Sequence, residues 1–190
     1  MARIRTFLAV EICDEVRRRA ADLIKSLRSE GDDIKWGEPR NLHFTLNFLG
    51  DVNDADVHDV CQAAARVAAE MPLFEMSCVG VGAFPHVGNP RTIWLGVREG
   101  NEAMCRLQEG LAVGMAELGF PREHRQYKPH LTLGRSRRGG RTSHLTRQLT
   151  ELVEFEAGRC IVEEVVVFSS ILEPGGPIYH ALSHAELADA

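Results

Sequence analysis

His43-Phe44-Thr45-Leu46-Asn47-Phe48-Leu49-Gly50 has an echo in His130-Leu131-Thr132-Leu133-Gly134-Arg135: each segment runs histidine, apolar residue, threonine, leucine. The two histidines are separated by close to half of the 190-residue chain. Side chains alternate faces along a strand, so His43 and Thr45 point one way while Phe44, Leu46 and Phe48 point the other. The apolar set fixes register, because a slip of one residue would bury the histidine and expose the phenylalanines. In the second copy His130 and Thr132 share one face, and Leu131 and Leu133 the opposite one. Each strand thus offers an imidazole and a hydroxyl about 7 Å apart, at a rise of roughly 3.3 Å per residue.

Two such strands, contributed by equivalent lobes about a pseudo-twofold axis, would line one cleft with facing His-x-Thr pairs. A single His-x-Thr is weak evidence, since a histidine on a half-buried strand is usually a satisfied polar residue. Two copies in matching apolar register are much stronger. Displacement at phosphorus needs an acid and a base on opposite sides of the phosphate, and histidine, with a pKa near 6.5, supplies either form. The threonine hydroxyls would donate to nonbridging oxygens as charge builds.

Around these strands, Arg5 to Val10 reads as a buried strand, followed by a helix with Val16, Ala20, Leu23 and Leu27 on one stripe and Gly31 as its stop. Asp54 is expected to cap a second helix carrying Val57, Val60, Ala64 and Val67, with Pro72 beyond its end. Strands over 73–84 and 92–97 flank a turn-rich segment. Asn101 is expected to cap a third helix, through Met104, Leu107, Leu111, Met115 and Leu118, ending at Gly119. A strand at His130, a helix over 142–152 and strands over 161–172 and 178–182 complete the chain. Short turns between several strands favour a mixed α+β arrangement over a doubly wound parallel sheet.

Composition sets bounds. With 27 acidic against 22 basic residues the chain is not a nonspecific nucleic-acid coat. The stretch Arg122, Arg125, Lys128, Arg135, Arg137, Arg138 and Arg141 is a local basic run, either a solvated loop or a collar for a small anion. Five scattered cysteines without a Cys-x-x-Cys pair suggest neither a disulfide framework nor a zinc knuckle, and a reducing cytoplasm is the expected location. The opening Met1-Ala2-Arg3-Ile4-Arg5 lacks the pattern of a signal peptide, and no segment approaches the roughly 20 apolar residues of a membrane span. Neither a metal-ligand cluster nor a phosphate-binding glycine loop is present, so no cofactor is expected.

These residues resemble the two-histidine (2H) phosphoesterases, and within them the RNA 2',3'-cyclic phosphodiesterases, also known as 2'-5' RNA ligases. Five landmarks carry the likeness in order: RTFLAV near the start, WGEPRNLHFTLNFLG around His43, GVGAFPHVGNPRTIWLGV mid-chain, YKPHLTLGR around His130 and LEPGGPIYHAL near the end. The resemblance implies one domain over 1–190, an α+β bilobal fold of two pseudo-twofold-related lobes of antiparallel sheet plus helices around a central cleft. It implies metal-independent hydrolysis of an RNA 2',3'-cyclic phosphate to a 2'-phosphate, with His43 as proton donor and His130 as acceptor. Thr45, Thr132 and Arg135 are the expected substrate contacts, although alternation puts Arg135 on the far face unless Gly134 allows a bulge. At Asn47 the family often carries a basic residue, whose loss is expected to weaken the first lobe's positive field. The expected partner is RNA with a cyclic phosphate end, including tRNA halves, bound by a monomer without a membrane.

Two alternatives stand beside hydrolysis: ATP-independent 2'-5' joining of tRNA halves, and a non-catalytic module that binds RNA ends. Phe48, Trp94 and Tyr127 could each stack a base, though parity with Phe44 and Leu46 assigns Phe48 to the core. Of the other six histidines only His180, beside Tyr179 in the last landmark, retains a substrate-side reading.

Overall fold

The computed structural model describes residues 2–29, 33–136 and 143–189. In chain order its elements are β1 (Arg3–Glu11), α1 (Asp14–Leu27), β2 (Ile34–Trp36), β3 (His43–Asn53), α2 (Val57–Ala68), β4 (Phe74–Phe84), β5 (Thr92–Val97), α3 (Asn101–Glu117), β6 (His130–Ser136), α4 (Ser143–Glu151), β7 (Glu156–Val162), β8 (Glu164–Glu173) and β9 (Gly176–Glu186). The strands form one sheet in the order β7-β4-β5-β6-β3-β1-β8-β9, with β2 alongside β6. All the strand pairings are antiparallel. This is the α+β, bilobal architecture expected from the sequence.

The order reads symmetrically outward from the β6–β3 seam. β6 matches β3, β5 matches β1, β4 matches β8, and β7 matches β9. The lobes are nonetheless not contiguous in sequence: β4, from the first half of the chain, pairs with β5, while β8, from the second half, pairs with β1. The first half thus lends β4 to the lobe of β6, and the second half lends β8 and β9 to the lobe of β3.

Amphipathic helices cover the convex side. α1 buries Val16, Ala20, Leu23, Ile24 and Leu27, close to the predicted stripe, and lies against β7. Their burial joins Leu8, Val10, Phe44, Leu46, Leu95, Leu131 and Leu133 in one apolar core. Such burial is the main favourable term holding helices to sheet.

Several boundaries differ from expectation. The apolar run 161–172 is two strands, broken at Glu163, and β7 begins at Glu156. β2, only three residues long, is too short for a sequence pattern to mark. Asp54 opens a short 3-10 turn rather than capping α2, which starts at Val57. Gly100, at φ 78°, rather than Asn101 precedes α3, and a Cβ there would lie 2.5 Å from the Glu75 carbonyl oxygen. Gly31 lies outside the described residues.

Candidate active site

The seam decides the site. β3 and β6 pair through Phe44 and Leu131, both fully buried. One step to either side in an antiparallel register sets His43 across from Thr132 and Thr45 across from His130, on the opposite, open face. The imidazoles are then diagonal neighbours, about 7–8 Å apart at the backbone, with both hydroxyls beside them. That is the facing arrangement the two motifs predicted.

Each imidazole is oriented in the same way. His43 Nδ1 lies 2.8 Å from the Asn41 carbonyl oxygen, and His130 Nδ1 lies 2.7 Å from that of Lys128. A carbonyl only accepts, so each Nδ1 carries the proton and each neutral Nε2 is left as a base. At His43 that nitrogen is 3.0 Å from Thr45 Oγ1, whose hydroxyl donates to it. Burial pushes the His43 pKa down to about 4, opposed by the Asn41 bond and aided by the Arg17 charge. His130 is lowered too, first by burial, with the Lys128 bond opposing and the Arg135 charge adding.

A bulge follows each motif at the same place. Opposite β1, Ala9 pairs with Thr45 and Leu8 with Asn47, leaving Leu46 extra. Opposite β5, Trp94 pairs with Thr132 and Ile93 with Gly134, leaving Leu133 extra. Two residues facing one reset the alternation. Arg135 therefore returns to the His130 face, where its guanidinium donates to Thr92 Oγ1 at 3.1 Å. The same device corrects two expectations in the first lobe. Phe48 leaves the core for the cleft face and is 46% exposed. Asn47 turns inward opposite buried Leu8, where its Oδ1 is buried without a hydrogen-bond partner. A basic residue missing at position 47 hence takes no charge from the cleft.

The walls carry little signal in the sequence. Phe7 stacks on His43 with ring centres 4.9 Å apart, and Tyr179 meets the same imidazole edge-on at 5.3 Å. Phe84 meets His130 edge-on at 5.1 Å. Burial raises the Tyr179 pKa, against the charges of Arg135 and Arg5. Arg17 on α1 donates to the Pro39 oxygen at 2.9 Å and the Ile12 oxygen at 3.0 Å, holding the approach to His43. The cleft-facing parity of Phe7 and Phe168 depends on which face of β1 and β8 meets the helices, a fact strand periodicity leaves open.

Other candidates fall away from the cleft. Tyr127 packs against the core and donates its phenol to the Thr45 carbonyl at 3.0 Å, a positioning bond rather than a free stacking face. Trp94 does sit beside Thr132, its ring close over Gly82 and Gly96 and 5.3 Å from Phe84. His180 pairs with Ser169 on the face opposite Tyr179 and is exposed. Of the basic run, Arg122 pairs with Glu109, and Arg137, Arg138 and Arg141 lie outside the described residues. Among the described residues no cluster of three His, Cys, Asp or Glu side chains could hold a metal, and no helix is long and apolar enough to cross a membrane.

Paired imidazoles across a pseudo-twofold seam, each with its strand-mate threonine, define the two-histidine class of phosphoesterases. The family model described as LigT like Phosphoesterase matches twice, over residues 10–94 and again over 95–179. An RNA 2',3'-cyclic phosphodiesterase of Methanothermobacter thermautotrophicus is 36% identical over 177 residues, covering 93% of this chain and 95% of that protein. One from Archaeoglobus fulgidus is 35% identical over 180 residues, covering 94% and 98%. The crystal structure of a Thermus thermophilus protein superposes with a TM-score of 0.82 at 29% identity, covering 97% and 98%. This chain belongs to the LigT-like phosphoesterase family.

Proposed function

We propose that the chain hydrolyses the 2',3'-cyclic phosphate end of RNA to a 2'-phosphate, with His43 as proton donor and His130 as acceptor. The observation that carries the reading is the diagonal pair of imidazoles, each with Nδ1–H tied to a carbonyl and Nε2 on the cleft face, that of His43 beside the Thr45 hydroxyl. Water attacks phosphorus from the His130 side and gives its proton to Nε2. The bond from phosphorus to the 3'-oxygen breaks on the other side, and that oxygen takes a proton from His43 Nε2. The products are a 2'-phosphomonoester and a free 3'-hydroxyl, and the imidazoles exchange their proton through solvent. Thr45 and Thr132 donate to the nonbridging oxygens, and Arg135 offsets the developing negative charge. Burial keeps His43 neutral in the free protein, so its proton arrives with the phosphate anion, whose charge favours the imidazolium.

An oligonucleotide with a 2',3'-cyclic end tests this directly. In the presence of a chelator it should yield only the 2'-phosphate. Retention of phosphate on the 3'-oxygen, or recovery of the cyclic end unaltered, overturns the reading. Matched tRNA halves are the finer arm: an RNA 5'-hydroxyl in place of water would give a 2'-5' joined product by the same chemistry, and hydrolysis is expected to outrun it.

A further inference from the structure

Three of the five cysteines, far apart in the sequence, converge where α1 meets β7. Cys13 stands at the start of α1 and is exposed, whereas Cys160 in β7 and Cys78 in β4 are buried. The Cys160 thiol donates to Cys13 Sγ at 2.8 Å, and the Cys13 backbone N–H donates to Cys160 Sγ at 3.1 Å. The Cys13 thiol donates in turn to the Arg159 carbonyl at 3.2 Å. Side chains whose sulfurs touch already point toward one another, which is what a bridge without backbone movement requires.

The pair has an outer and an inner member. Cys13 opens to solvent at the N-terminus of a 14-residue helix. Burial and the Cys160 contact raise its pKa, and the backbone N–H groups of Val16 and Glu15 oppose that rise. Cys160 is raised as well, first by its contact with Cys78 and then by burial, and is only 4% exposed. An oxidant in solution therefore meets Cys13 first, with Cys160 in place to capture the product. Cys78 lies behind Cys160, diagonal to it across the β4–β7 ladder and fully buried.

A bond here would also join the lobes. Cys13 follows β1 of the first lobe, and β7 is the outer strand of the second. In the sheet the lobes meet through Phe44 and Leu131. The two cysteines are 147 positions apart, so linking them removes a large loop from the unfolded ensemble.

We infer that Cys13 and Cys160 are a peroxide-responsive dithiol that closes to a disulfide and fastens α1 to β7 across the two lobes. The Cys13 thiolate attacks a peroxide oxygen, the O–O bond breaks, and Cys13 becomes a sulfenic acid as one water is released. The Cys160 sulfur then attacks the Cys13 sulfur, the S–O bond breaks, and the hydroxide leaves with the Cys160 proton as a second water. The two thiols lose two electrons and the peroxide gains them. A small thiol reopens the link by exchange, in keeping with a bond that forms only under oxidising stress.

Hydrogen peroxide added to the reduced protein tests this. Of its five thiols, three should remain titratable under denaturing conditions. A nonreducing digest should contain one linked peptide pair, Cys13 with Cys160. The Tm should rise by about 5–10 °C and return to its starting value with dithiothreitol. C13S, which alters an exposed position, should show neither the link nor the rise. C160A removes the capturing thiol, so dimedone should label Cys13 in it and not in the parent, a readout of the first step that does not depend on the variant's stability. Five surviving thiols, a Cys78–Cys160 or intermolecular link in place of the Cys13–Cys160 one, or a linked protein whose Tm does not rise would each overturn the proposal.

Discussion

His43 and His130 share a backbone setting and differ in what encloses them. Each has its Nδ1 fixed by the carbonyl two residues before it, each precedes a threonine by two residues, and each strand bulges at the leucine that follows that threonine. In the first lobe, however, Phe7, Tyr179 and Phe168 all lie around the imidazole, whereas Phe84 is the aromatic ring in contact with His130. His43 is thus the more strongly discharged of the pair in the free protein. Duplication fixed where the groups stand, and the side chains of flanking strands then tuned two equal imidazoles toward unequal protonation.

Removing either histidine should do the most damage. His43→Ala and His130→Ala are each expected to lower kcat by at least about a hundredfold, measured on a cyclic-phosphate oligonucleotide. A large loss in only one would break the equivalence of the lobes. The acid side of the pH scale separates them more finely. A group whose folded pKa is depressed binds protons more readily unfolded, so His43 destabilises the fold as pH falls from 6.5 toward 4. Chemical denaturation across that window should lose on the order of 2–3 kcal/mol through His43. His43→Gln should flatten this slope more than His130→Gln does.

Catalysis reports the same asymmetry. The singly protonated pair is the productive form, and both pKa values lie below 6.5 in the free protein, so the bell in kcat/KM should peak on the acid side of 6.5. The profile of kcat should lie at higher pH, because the bound anion holds the proton. A kcat/KM optimum above pH 7 would contradict the burial assigned to the histidines. The smallest effects belong to the inward residues of the bulges. A Cβ on Gly134 would sit 2.8 Å from the Trp36 ring, so Gly134→Ala is expected to cost about 1–3 kcal/mol in thermal or urea unfolding. Asn47→Ala removes a buried oxygen that has no partner and should shift stability by less than about 0.5 kcal/mol.

Much of this is legible in the two motifs, because the period-2 alternation of His43 to Leu46 and of His130 to Leu133 says which side chains share a face. Alternation fails where a residue is inserted into the ladder. The sequence does hint at a bulge through Gly134, yet Asn47 carries no such mark, and parity alone consequently sends Phe48 to the core. The aromatic walls are hidden for another reason. Phe7, Phe168 and Tyr179 reach His43 from β1, β8 and β9, and pairing between strands so far apart in the chain leaves no local signature. Arg17 is obscured likewise, its partners being carbonyl groups rather than complementary side chains.

The exchange of β4 and β8 between the lobes bears on how such a molecule could be taken apart. Severed in the turn between β4 and β5, neither fragment would own a finished sheet: one would lack β8 as a companion for β1, the other β4 as a companion for β5. Each would also expose β3 or β6 as a raw edge with unpaired backbone groups, an invitation to self-association. Two fragments could regain a complete enzyme only by embracing as swapped partners do, so the covalent link between the repeats serves as a tether that makes an intermolecular handshake independent of concentration.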